Sequence, residues 1–198
     1  MCTGRERPAR RSRGTPVGSA PSAAIAERFG RLFDTLDSDN DKTITWDDYK
    51  RLVDRYVSGY SLDENDRRMQ AIQTSYHMLW LELLRHSSAF EAGLDRETFV
   101  SALHAASEDR SRFNMTEGVA EAAFDLLDAD DDGTISEAEY VEYAEVLGVA
   151  VDTAWDRFKV LDTDGDGFIS REEFVLSARE FLFGDDTDSA GGFVFGLI

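Results

Sequence analysis

Asp128-Ala-Asp-Asp-Asp-Gly-Thr-Ile-Ser-Glu-Ala-Glu139 and Asp162-Thr-Asp-Gly-Asp-Gly-Phe-Ile-Ser-Arg-Glu-Glu173 are the stretches that decide how this chain folds. They share one twelve-residue spacing. Carboxylates stand at positions 1, 3, 5 and 12: Asp128, Asp130, Asp132 and Glu139 in one, Asp162, Asp164, Asp166 and Glu173 in the other. Gly133 and Gly167 hold position 6, where a sharp turn needs positive φ. Add the backbone carbonyls of Thr134 and Phe168 at position 7, with Ser136 and Ser170 at position 9 acting through water. The result is a cage of six or seven oxygens, the set that hard Ca²⁺ takes at ~2.3–2.6 Å. Asp and Gly also favour plain surface turns. That reading fails on charge, because unit charges ~4 Å apart repel by about 4 kcal/mol per pair at an effective dielectric near 20. A fold keeps such carboxylates together only when a cation offsets them.

A third stretch, Asp37-Ser-Asp-Asn-Asp-Lys-Thr-Ile-Thr-Trp-Asp-Asp48, follows the same spacing with two departures. Asp37, Asp39 and Asp41 fill positions 1, 3 and 5, with the Thr43 carbonyl at 7 and Thr45 at 9. Lys42 replaces the turn glycine, and a side chain in the left-handed region costs roughly 1–2 kcal/mol. Asp48 replaces the closing Glu and is one methylene shorter. One oxygen then reaches the ion more readily than two, which favours six-coordinate Mg²⁺ relative to Ca²⁺. The expectation is two strong Ca²⁺ sites and a third, weaker site open to Mg²⁺. The competing reading of 37–48 is an acidic loop that holds only water.

Each loop lies between amphipathic segments, the helix–loop–helix arrangement of an EF-hand. The two complete loops begin 34 residues apart, as paired hands do. Hands pair through a short ladder at position 8, so Ile135 should face Ile169. Ile44 then needs a partner, and 87–98 alone has the right apolar frame. There Leu94 takes position 8 and Phe99 follows five residues on, the step that also separates Ile135 from Tyr140 and Ile169 from Phe174. Its ligand positions are Ser87, Ala89, Glu91, Gly93 and Thr98, which cannot build a cage. This hand is expected to be structural only.

The apolar residues repeat at three and four, the period of a helix face. Ile25, Phe29, Leu32, Phe33 and Leu36 mark one helix, and Trp46, Tyr49, Leu52, Val53 and Tyr56 the next. Ser61-Leu-Asp-Glu64 has the form of a capping box opening a long helix. Its buried side is predicted to be Met69, Ile72, Tyr76, Leu79, Trp80, Leu83 and Leu84. Further helices are predicted near 97–106, 117–127, 137–147, 152–161 and 171–183. The fold class is therefore all-α: four hands in two pairs, closed into one globule. The organisation is a disordered Arg-rich leader at 1–22, an N-terminal pair at 23–107, a C-terminal pair at 114–183, and a tail at 184–198 packing on the core.

Net charge narrows the partners. The chain carries −19, but its first 21 residues carry +4 through Arg5, Arg7, Arg10, Arg11 and Arg13 against Glu6, leaving −23 for the rest. That body repels nucleic acid and anionic membranes and attracts small cations. No apolar run reaches the ~20 residues of a membrane span. The lone cysteine, Cys2, cannot form an intramolecular disulfide. No phosphate-cradling motif appears, and the carboxylates are committed to the loops. The expectation is a cytoplasmic, monomeric binding protein and not an enzyme, with calcium and magnesium as its partners. The sequence points to no particular protein partner.

Active hands one, three and four around a silent second hand resemble the sarcoplasmic calcium-binding proteins and their bacterial relative calerythrin. The ending Arg179-Glu-Phe-Leu-Phe-Gly-Asp-Asp-Thr-Asp-Ser-Ala-Gly-Gly-Phe-Val-Phe-Gly196 is similar too. In that family a last helix leads through an acidic turn to an aromatic segment folded onto the interior. The resemblance implies an intracellular Ca²⁺ or Ca²⁺/Mg²⁺ buffer or transporter. The alternative is a sensor that exposes a Met-rich groove, yet beyond the initiator there are only Met69, Met78 and Met115. A third reading follows the photoprotein cousins, which hold a luciferin among His, Tyr and Trp. The only histidines here are His77, His86 and His104.

Overall fold

Short oxygen-bearing side chains start most of the helices. The Ser22 hydroxyl accepts from the Ile25 amide and opens α1 (Ala23–Leu36). Thr45 caps α2 (Trp46–Gly59), and Asp95 caps α4 (Arg96–Glu108). Ser136 caps α6 (Glu137–Val146) and Ser170 caps α8 (Arg171–Phe183). Each cap satisfies backbone amides that a first turn leaves unpaired. The remaining helices are α3 (Arg67–Ser87), α5 (Met115–Leu127) and α7 (Val151–Leu161), followed by a terminal 3-10 helix (Ala190–Phe195). The computed structural model describes residues 20–63, 65–87, 93–109, 115–184 and 190–195.

Two short ladders join the hands in pairs. Strands β1 (Thr134–Ser136) and β2 (Phe168–Ser170) run antiparallel with Ile135 opposite Ile169. Ile44 and Leu94 form a matching bridge, each amide donating to the other's carbonyl at 2.8 Å. All four of these apolar residues are fully buried. Gly93 makes the N-terminal bridge possible, since a Cβ there would lie 2.2 Å from the Thr43 methyl carbon. Residues 88–92 of the second hand, with Ala89 and Glu91, lie outside the described residues.

Aromatic contacts seal each pair and then join them. Phe33 meets Phe99 edge-on at 5.7 Å, and Phe124 meets Phe174 at 5.8 Å. Across the halves, Tyr56 stacks on Tyr143 at 5.8 Å with their hydroxyls 3.2 Å apart, and Phe29 reaches Phe181 at 6.0 Å. The result is one all-α globule with a continuous aromatic core. Its last piece comes from the chain's end. Phe193, Val194 and Phe195 are buried, with Phe193 stacked on Tyr140 and Phe195 against Phe181. The Tyr143 hydroxyl donates to the Phe193 carbonyl at 2.9 Å. Arg28, fully buried, donates to the Gly184 carbonyl at 2.8 Å and lies over the Phe181 ring.

Three details differ from the sequence expectations. Ser22, the last residue of the expected leader, is already the cap of α1; residues 1–19 lie outside the described residues. Helix α3 begins at Arg67 and not at Ser61. Ser61 takes φ 51°, while the Leu62 amide bonds back to Val57 and extends the end of α2. Asp66 accepts from the Arg68 amide at the true start, and Glu64 lies outside the described residues. On α3, Met69 and Leu84 are only partly buried, and Glu82 takes a buried place paired with Arg85.

Candidate metal centres

The same local chemistry shapes all three acidic loops. In each, the position 1 carboxylate accepts the amides of positions 5 and 6. Asp37 takes Asp41 and Lys42, Asp128 takes Asp132 and Gly133, and Asp162 takes Asp166 and Gly167, at 2.9–3.1 Å. The position 5 carboxylate accepts the amide of position 7: Asp41 from Thr43, Asp132 from Thr134, Asp166 from Phe168. The backbone turns by entering the left-handed region twice. Position 6 does so at Lys42 (φ 70°), Gly133 and Gly167. Position 4 does so at Asn40, Asp131 and Gly165, a requirement the sequence reading missed. Its signal was present, because Asn, Asp and Gly are the residues that tolerate this conformation.

Position 9 and position 12 also act as a unit that was not anticipated. Ser136 and Glu139 form a capping box, as do Ser170 and Glu173. The serine hydroxyl and amide both donate to one oxygen of the Glu, at 2.7–2.8 Å. The other oxygen crosses the loop to the amide of position 2, Ala129 or Thr163, at 2.9 and 2.8 Å. The helix cap thus fixes the carboxylate that closes the loop. The Ser-x-x-Glu pattern was its signal.

Among the described residues, these restraints gather oxygens with no lysine or arginine bonded to them. One carboxylate oxygen each from Asp128, Asp130 and Glu139 lies within 4.8 Å of the others, and the same holds for Asp162, Asp164 and Glu173. Asp132 and Asp166 are held beside these clusters by their amide bonds. An all-oxygen, all-anionic donor set fits a hard divalent cation. The first loop brings together Asp37, Asp39 and Asp41, but not Asp48. Asp48 is buried, and its oxygens are taken by the Thr45 amide and hydroxyl and by the Arg51 guanidinium. Lys42 brings its ammonium to 3.8 Å from Asp37. A further grouping of Glu82, His86 and Asp109 is bridged by Arg85. His77 packs on Trp46, and His104 is buried.

Crowding shows in the proton equilibria. Burial raises the Asp128 carboxyl, and the charges of Asp132 and Glu139 add to that against two amide hydrogen bonds. Burial pushes Glu173 up as well, but hydrogen bonds from Ser170 and Thr163 outweigh it and bring it from 4.5 down to about 2. A lowered carboxyl stabilises the fold fully above its unfolded value and loses that effect as pH falls through its folded value. In chelated protein, acid unfolding between pH 4.5 and about 2 should therefore be shallower in Glu173→Gln than in wild type. Urea midpoints measured across that range check this; identical slopes would exclude it.

The family model described as EF-hand domain pair matches residues 91–147, and the model described as EF hand matches 156–181. The sarcoplasmic calcium-binding protein of Perinereis vancaurica tetradentata is 28% identical over 128 residues, 65% of this chain and 72% of its own length. A calcium-binding protein of Streptomyces coelicolor, solved as the structural basis for prokaryotic calcium-mediated regulation, is 25% identical. It superimposes with a TM-score of 0.66 over 82% of this chain and 99% of its own. Calcium-loaded apo-aequorin from Aequorea victoria shares the fold at 15% identity and a TM-score of 0.67, covering 81% and 91%.

Proposed function

We propose that this chain, an EF-hand calcium-binding protein similar to the sarcoplasmic calcium-binding proteins, buffers or carries free calcium in the cytoplasm. It acts as a monomer and performs no catalysis. Loops 128–139 and 162–173 are the strong sites, and loop 37–48 is a weaker third site at which Mg²⁺ competes. The observation that carries the buffer reading is the buried tail. Phe193, Val194 and Phe195 fill the apolar space between the helices of the C-terminal pair. A sensor would need that surface free for a target helix. A Met-rich groove is also lacking among the described residues, where Met78 is exposed and Met69 only partly buried.

One observation favours a second reading, a sensor. The Streptomyces coelicolor protein that this chain resembles is described in terms of calcium-mediated regulation. The two readings separate in a calcium titration with and without millimolar Mg²⁺, followed by calorimetry and by an apolar fluorescent dye. A buffer binds Ca²⁺ with an apparent affinity that Mg²⁺ lowers, and its dye signal falls or stays flat as the ion fills the loops. A dye signal that rises with calcium, together with new affinity for an amphipathic peptide, would make the protein a sensor.

A further inference from the structure

Hand one closes differently from hands three and four. In those two, the long Glu at position 12 spans the loop by itself, joining the capping serine at one oxygen to the position 2 amide at the other. Asp48 is a methylene too short for that crossing. One of its oxygens stays with Thr45, and the other meets the guanidinium of Arg51, one helical turn further along α2. Arg51 then makes the crossing. Its Nη2 also pairs with Asp39 at 2.8 Å, and its Nε donates to the Ser38 hydroxyl at 3.1 Å. One planar cation thereby ties positions 2, 3 and 12 together. The equivalent residues are Glu142 in hand three and Leu176 in hand four, so neither of those can supply a cation.

We propose that Arg51 is the resident counter-ion and closing strut of hand one, holding loop 37–48 shut without metal, and that a divalent ion entering the loop must displace it. Three observations support this. The Asp48 side chain is only 2% exposed, and a buried carboxylate requires a charge partner. Arg51 Nη2 meets both carboxylates while Nε holds the Ser38 hydroxyl, a planar set of donors in fixed geometry that a flexible lysine ammonium does not present. Lys42 adds a second cation at Asp37, so the carboxylates at positions 1, 3, 5 and 12 of this loop meet two positive charges before any ion arrives. Among the described residues no basic side chain pairs with the carboxylates of loops three and four, Arg171 of loop four being turned to Glu121 and Asp125. The inference rests on the reading of hand one as a weak third site and supplies its cause: selectivity there is set by competition with an arginine as well as by the length of Asp48.

The test uses the full chain with Arg51→Met, which keeps an apolar stem but no charge, and Arg51→Lys, which keeps the charge but not the fork. Amide hydrogen exchange is followed in chelated protein, and calcium binding is followed by calorimetry. In Arg51→Met, exchange across 37–48 should speed up at least tenfold while 128–139 is unchanged, with Arg51→Lys between the two. The third calcium ion should bind at least tenfold more tightly to Arg51→Met than to wild type. Unchanged exchange at 37–48, or a third affinity that stays level or weakens, would overturn the proposal. If neither protein takes a third ion while two still bind, the weak-site reading of hand one fails. The exchange result then decides the counter-ion role alone.

Discussion

Stripping calcium from this protein should lower its melting temperature by about 10–20 °C. An ion held at ~100 times its dissociation constant adds about 2.7 kcal/mol per site, so the two proposed strong sites would add about 5 kcal/mol. For a chain of this size each kcal/mol moves the midpoint by about 2–4 °C. The expectation comes from the particular carboxylates involved. Asp128, Asp130 and Glu139 hold oxygens within 4.8 Å of one another, as do Asp162, Asp164 and Glu173, and among the described residues no basic side chain pairs with either cluster. Asp128 is buried, and burial together with its neighbours' charges already raises its carboxyl. The loss should concentrate in the C-terminal pair, since hand one carries its own cations. Calorimetric melts with calcium and with chelator check this. A midpoint that moves by less than a couple of degrees would show that the loops contribute little binding energy.

Exchanging both closing glutamates, Glu139→Gln and Glu173→Gln, should weaken calcium binding at least 100-fold at each strong site. Partners that merely orient a ligand typically give about 10–100-fold when removed, and these residues occupy the position of the closing ligand itself. Each carboxylate presents two acceptors: one faces the capping serine, and the other faces the position 2 amide. An amide has only one acceptor, so its NH₂ must point either at a backbone N–H or at the ion. The variant should still fold, because Gln serves in a capping box as Glu does. That separates lost binding from lost structure. The ladder between Ile135 and Ile169 couples the loops, so each single variant should also weaken the intact partner. Competition against a fluorescent chelator measures these affinities, and a loss below tenfold would mean that the glutamates are not ligands.

The loops were legible because their chemistry is local. Oxygens at fixed positions and a glycine at the turn can be read from twelve letters, and the apolar residue at position 8 identified Leu94 as the partner of Ile44 without any ligand to help. What escaped depends on orientation or on distance along the chain. Arg51 lies one turn past its loop, and nothing in the letters says that its side chain turns back over Ser38 and Asp39. Arg28 reads as a break in an apolar face. Its burial becomes intelligible beside the Gly184 carbonyl, 156 residues away, and the Phe181 ring. Ser61 misled because Ser-x-x-Glu is the same pattern that works at Ser136 and Ser170. There it sits in a link that bonds back to α2 through Leu62, and tertiary context overrode the local signal.

The most direct measurement is the number of calcium ions the folded chain retains in equilibrium dialysis against labelled calcium at about 10 μM, the upper end of sensor-type affinities. Two ions per chain, falling to none in the doubly substituted glutamate variant, is the expected count. A folded protein that keeps none would mean that the clustered oxygens of 128–139 and 162–173 stay together for some reason other than an ion.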